Sequence, residues 1–207
     1  MDAPDRPKTL ADDFALEHRR SLLAAPHMAP LNPFVARLRD AHGEVPDPDP
    51  LDGGAEARLL LLLETPGPRI RRSFFVSRDN PSGTAANLFR FLTQAGIPRR
   101  DTLIWNAVPF VIHAPGAKNR APREPEIAAG LGCLPPLLAL LPRLAVAVLA
   151  GRIAARAAPV IAAERPEVAL LAMPHPSPTY LCTDPAHPAR IRAVLAEAAE
   201  RLRAPGS

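Results

Sequence analysis

The sequence predicts an α/β protein: a three-layer α/β/α sandwich with a central four-stranded parallel sheet. Three observations predict it. Four short apolar runs, "RLLLLLE" (58–64), "DTLIWNAVPF" (101–110), "RLAVAVLAG" (143–151) and "EVALLAMP" (167–174), read as strands buried in a sheet core. Helical stretches separate them, as a mainly parallel sheet covered on both sides requires. Each run ends in a loop rich in Pro or Gly: "ETPGP", "NAVPF", "AGR" and "MPHPSP". Those loops gather at the carboxyl ends of the strands, where such sheets bind ligands.

The elements follow in order. Residues 10–42 read as two short helices, "ADDFALEHRRSLLAA" and "PFVARLRDAHG". Residues 44–57, "EVPDPDPLDGGAEA", read as a linker from their Pro, Gly and Asp content. "SGTAANLFRFLTQA" (82–95) is a helix with Ser82 as N-cap and Ala85, Leu88, Phe89 and Leu92 on one face. "EPEIAAGLGCLPPLLALL" and "RIAARAAPVIAAE" are helices despite their prolines. The last helix is amphipathic, with Ile191, Val194, Leu195, Ala198 and Leu202 on one face. The expected organisation is one structural domain: N-terminal helices and linker (1–57) packed on an α/β unit (58–207).

A chain of 207 residues, 47% hydrophobic and 22% charged, has the size and balance of one domain with a substantial core. No apolar run reaches membrane-spanning length, and the N-terminus "MDAPDRPKTLADDF" is polar, unlike a secretion signal. A cytoplasmic location is expected. Cys133 and Cys182, neither in a CxxC pair, cannot supply four thiolates to an iron–sulfur cluster. Together with the scattered histidines they give no zinc spacing. No metal or cofactor is expected. The net charge of +4, carried almost wholly by arginine, favours polyanions, but biased composition produces the same excess. GxGxxG and GxxxxGK[ST] are absent, which disfavours a nucleotide cofactor, and GxSxG is absent, which removes a nucleophile elbow.

Four segments at or near strand ends remain: "LETPGP" (63–68), "SFFVSRDNPSG" (73–83), "LIWNAVPF" (103–110) and "MPHPSPTY" (173–180). Their order and spacing resemble the uracil-DNA glycosylase superfamily over roughly residues 58–203. "HPSP" resembles its second conserved motif, and "LETPG" stands where relatives carry GQDPY or GEAPG. "KNRAPREPEI" (118–127) resembles an N-R-x-P-x-x-x-E segment of iron–sulfur-containing branches, although their cysteines are lacking here. "DNPSG" resembles a D-x-S-G region of another branch. Without the resemblance, "HPSP" reads as a rigid surface loop.

The resemblance implies a monofunctional glycosylase that flips uracil out of DNA and leaves an abasic site. Phe75 would stack on the base, Phe74 being able to exchange roles with it and core packing being the ordinary alternative. Asn106 would read uracil through its paired donor and acceptor; otherwise it caps a turn. His175 would stabilise the departing uracil anion, with Pro174 and Pro176 stiffening its backbone. Pro176, Ser177 and Pro178 would press on phosphates. Thr179, Tyr180 and Leu181 lie where relatives insert a wedge, Tyr180 being the best stacking candidate, and Arg120 joins the DNA-binding set. Thr65 replaces the water-activating aspartate of GQDPY, which leaves Asp79 and Glu64 as carboxylates, Asp79 preferred. Gly67 replaces a tyrosine that helps exclude thymine. His113 reads as an ordinary loop residue. The expected partner is DNA containing uracil or abasic sites, met by a monomer. Two alternatives stay open: a non-catalytic module that binds uracil or abasic DNA, and a small-molecule hydrolase or nucleosidase.

Overall fold

The computed structural model describes residues 6–204. Helix α1 (Asp13–Ser21) begins at Asp12, whose carboxylate accepts the amides of Phe14 and Ala15, satisfying two donors that the first helical turn leaves open. Helix α2 (Leu31–His42) ends at Gly43, which has φ of 83°. Two short strands, β1 (Asp47–Pro48) and β3 (Phe75–Val76), pair in parallel. Between them runs β2 (Leu59–Leu63). Helix α3 (Gly83–Gln94) starts at Ser82, which accepts the Ala85 amide. Then come β4 (Thr102–Asn106), α4 (Glu124–Gly132), α5 (Leu134–Ala139) and β5 (Val146–Ala150). The chain continues through α6 (Arg152–Ala155), α7 (Ala158–Glu164), β6 (Ala169–Met173), α8 (Pro178–Leu181) and α9 (His187–Arg203).

The main sheet has the order β4-β2-β5-β6 and is parallel throughout. Its two central strands carry the most apolar sequences, because both their faces are covered. Helices flank it: α3 packs against α9, α9 against β5 and β6, and α5 against α2 and α7. The predicted three-layer class is thus the observed one. Two predicted helices are each broken in two. The first breaks at Cys133, just before Pro135 and Pro136, and the second at Arg156–Ala157, just before Pro159. A proline amide cannot donate, and its ring disfavours helix in the residue before it.

The stretch 44–57 is not a loose linker. Asp49 and Asp52 are buried, β1 pairs with β3, and a 3-10 turn spans Gly54–Glu56. Helix α2 shares the main core: Met28 just before it and its Leu31, Phe34, Val35 and Leu38 pack in the same cluster as the sheet, and the Phe34 and Trp105 rings lie 6.3 Å apart, whereas Leu16 of α1 packs in a separate small cluster with Leu10 and Phe75.

Candidate active site

Chain connections leave β2 toward β4 on one side and β5 toward β6 on the other, so the crevice between β2 and β5 is the topological switch point of the sheet. A cleft of about 540 Å³ opens there. Its floor comes from strand ends: Glu64, Thr65 and Gly67 after β2, Asn106 at the end of β4, Gly151 and Arg152 after β5, and His175 and Ser177 after β6. One wall is the stretch that leads through Val76, Ser77, Asn80 and Ser82 into α3.

Glu64 and His175 approach each other around Gly151. A Cβ on Gly151 would lie 2.6 Å from Glu64 Oε1 and 3.1 Å from His175 Cβ, so a side chain there would have to displace the Glu64 carboxylate. Its φ of +96° also favours glycine. Glu64 Oε1 accepts the amide of Ile153 at 3.2 Å, which fixes one carboxylate oxygen.

His175 is set by its own loop. The Ser177 amide donates to His175 Nδ1 at 3.2 Å. An accepting Nδ1 leaves the proton of the neutral ring on Nε2. Burial lowers the pKa of His175, opposed by the nearby Glu64 carboxylate, so the neutral form dominates at neutral pH. The loop is braced from α3, where buried Asn87 donates to the Pro176 carbonyl at 2.8 Å. Gly83 lies against Pro178; a Cβ there would be 2.4 Å from the proline ring.

Asn106 is 2% exposed yet reaches the cleft, at the register position beside Leu63. Tyr180 sits at the rim, 37% exposed, its ring stacked on His187 at 4.7 Å between centroids. Pro178 and Thr179 are exposed beside it, whereas Pro176 is buried.

Three expectations need correction. Phe75 does not face the cleft: it is 2% exposed and packs with Leu10 and Leu16. Its neighbour Val76 lines the cleft instead, since consecutive strand residues point to opposite sides. Phe74, at φ 60°, lies under the Arg39 guanidinium and does not line the cleft either. Asp79 is also turned away. It is 1% exposed and ion-paired to Arg19 and Arg99. Arg120 is committed to Glu126 and to the Ile112 carbonyl, and holds the Glu126 carboxyl down to about 2. That pair shapes the loop that brings Asn119 to the cleft. His113 is buried outside the cleft, and its carbonyl accepts from Arg71.

Sequence reasoning passed over Gly151, Asn87, Asn119 and the exposed Arg69 and Arg152, all of which line or brace the cleft. A signal existed for Gly151, a lone glycine directly after an apolar strand.

Residues 50–199 match the family model of the Uracil DNA glycosylase superfamily. The chain belongs to the uracil-DNA glycosylase superfamily. No curated protein matches the sequence. The matched span holds every cleft-lining residue named above, and membership makes this a DNA-directed protein of an N-glycosylase class. Among the described residues, no helix is long and apolar enough to cross a membrane.

Proposed function

We propose that the protein is a monofunctional uracil-DNA glycosylase that hydrolyses the N-glycosidic bond of uracil in DNA and leaves an abasic site. The observation that carries this reading is the convergence of Asn106, Glu64 and His175, from three separate strand ends, on one cleft. The extrahelical base enters between the apolar side chains of Ile70 and Val76. The Asn106 amide pairs with a uracil carbonyl and the adjacent N–H; cytosine presents the reversed pattern and leaves both bonds unmade. As the C1′–N1 bond breaks, its electron pair moves onto the base. The His175 Nε2–H donates to uracil O2 where the charge develops. Glu64, one oxygen held by Ile153, stabilises the cationic sugar and orients the water that adds to C1′; Thr65 contributes a hydroxyl to that water.

The DNA-facing roles follow. Ser177 accepts the Tyr180 amide and keeps its own hydroxyl proton for a phosphate oxygen, with the exposed Pro178 and Thr179 beside it and buried Pro176 stiffening the loop from beneath. Arg69 and Arg152 supply positive charge at the cleft, and Tyr180 stacks into the gap left by the flipped nucleotide. Lys8 and Lys118 are the only lysines in the sequence, and neither is among the described residues that line the cleft, which supports hydrolysis without a Schiff base. Gly67 leaves open space where a Cβ would go, so Asn106 supplies the selectivity against cytosine while no side chain at this position blocks thymine's methyl group. The protein acts as a cytoplasmic monomer in this reading. Thr65, in place of a stronger base, favours the rival reading of a non-catalytic uracil- or abasic-site binder.

Release of free base from oligonucleotides bearing uracil, cytosine or thymine decides between them. Uracil should be released and cytosine retained, from DNA but not from free deoxyuridine; thymine, which offers Asn106 the same paired groups, reports on the open space at Gly67. Asn106→Asp should slow uracil release by about two orders of magnitude or more, since the reading amide is lost. Binding without base release would establish the non-catalytic reading.

A further inference from the structure

Behind the cleft wall lies a buried ionic lattice. Arg19 Nε donates to Asp49 Oδ1 at 2.8 Å, and its Nη2 to Asp79 Oδ2. Arg99 reaches Asp49 at 3.0 Å, Asp52 at 3.2 Å and Asp79 at 2.9 Å. Arg78 lies 3.6 Å from Asp52 and donates to Thr102 Oγ1. Ser77 donates to Asp49 Oδ2 and accepts the Asp79 amide at 2.9 Å. Three arginines face three aspartates, so each buried charge has partners of opposite sign.

Two features connect it to the site. Ser77–Asp79 belong to the stretch that becomes the cleft wall, bounded by Val76 and Asn80–Ser82. Arg19 and Leu10 belong to the N-terminal segment, outside the family-matched span 50–199. That segment holds the wall by three contacts: Leu10 and Leu16 against Phe75, the Leu10 amide on the Asp79 carbonyl at 3.1 Å, and the Arg19 guanidinium on Asp79. Apolar residues of similar volume often stabilise a core as well as buried ion pairs do, so stability alone is a weak reason for such a lattice. What directional charged bonds add is a fixed geometry.

We propose that Arg19 is a positioning residue: from α1 it pins Asp79, and with it the base-facing wall 76–82, so that the N-terminal segment is part of the excision machinery. The catalytic side of this rests on the glycosylase reading; the pinning does not.

The test compares the full-length protein with Arg19→Met, with Arg20→Met as a control on the same helix, and with the charge-balanced Arg19→Met/Asp79→Asn. Arg20 is exposed and, among the described residues, its ion pair is with Glu17. Three readouts are taken where each variant is folded by circular dichroism: melting temperature, amide exchange across 76–82, and single-turnover release of uracil from a duplex. Arg19→Met should speed exchange across 76–82 and slow release, each about tenfold, leaving affinity for undamaged duplex unchanged. Arg20→Met should change none of these. The double variant should regain melting temperature but neither exchange protection nor rate. If it regains the rate, or if Arg19→Met keeps wild-type exchange, the lattice is a stability device and the proposal is overturned. Should Arg19→Met not fold, the double variant decides by the same criteria. A wild-type protein that releases no base sinks the glycosylase reading, and exchange alone then decides the pinning.

Discussion

A single backbone amide decides which nitrogen of His175 can donate. With Ser177 N–H on Nδ1, the neutral ring offers only Nε2–H to a ligand. His175→Ala should therefore slow uracil release by about 100-fold or more, a donor lost at the developing charge, with DNA affinity little changed. The pH profile follows from burial, which lowers this histidine's pKa. Release should be flat above the ordinary histidine range and fall only on its acid side, where Nδ1 takes a proton and surrenders the Ser177 bond. The acid limb should vanish in His175→Ala. An unchanged rate in that variant would leave the loop as mere surface structure. The same scale explains the Phe75 correction. In a strand, one residue of register separates core from cleft. "FFV" offers three apolar candidates in a row, and only the structure shows that Val76 faces the cleft.

At the scale of elements, the junction of β5 and α6 ties the backbone to the cleft's carboxylate. Gly151→Ala brings a Cβ within 2.6 Å of Glu64 Oε1 at a φ of +96°. With ψ at 173° this is backbone nearly reserved for glycine, and a side chain there costs about 1–3 kcal/mol. Displacement of Glu64 should lower the release rate by much more than that loss of stability implies, measured as single-turnover rate beside urea unfolding. A loss confined to stability would separate Glu64 from the chemistry. The strands were legible because continuous apolar runs of this length have few other homes, and the α3 start was legible because its Ser82 cap is local. The helix breaks were not, although the prolines behind them were visible. Residues 44–57 were misread because Pro, Gly and Asp mark a flexible linker and a tightly folded turn alike. What separates the two is partners for Asp49 and Asp52, and Arg19, Arg78 and Arg99 come from elsewhere in the chain. Asp79 was misassigned for the same reason: a carboxylate near a motif looks free until its arginines are placed.

For the whole molecule, the lattice ties stability to pH through Asp52. Burial pushes its carboxyl up to about 7, against the pull of Arg78 and Arg99. In the unfolded chain the same group titrates near about 3.9. Between these values the native state binds more protons than the unfolded one, so this contribution to stability is full below about 4 and is lost as pH rises toward 7. Asp52→Asn should flatten that slope, seen as a smaller difference in urea midpoint between pH 5 and pH 8. A slope equal to that of the wild type would place the titration elsewhere. The strand order has a consequence for synthesis as well. Leu59 of β2 pairs with Thr102 on one side and Val146 on the other, both far downstream. As the chain leaves the ribosome, five consecutive leucines must wait for the first neighbour and then much longer for the second. Slow non-local pairing and an open apolar edge are the conditions under which nascent chains self-associate. The strand that anchors the cleft is thus also the segment most in need of a chaperone before its neighbours emerge.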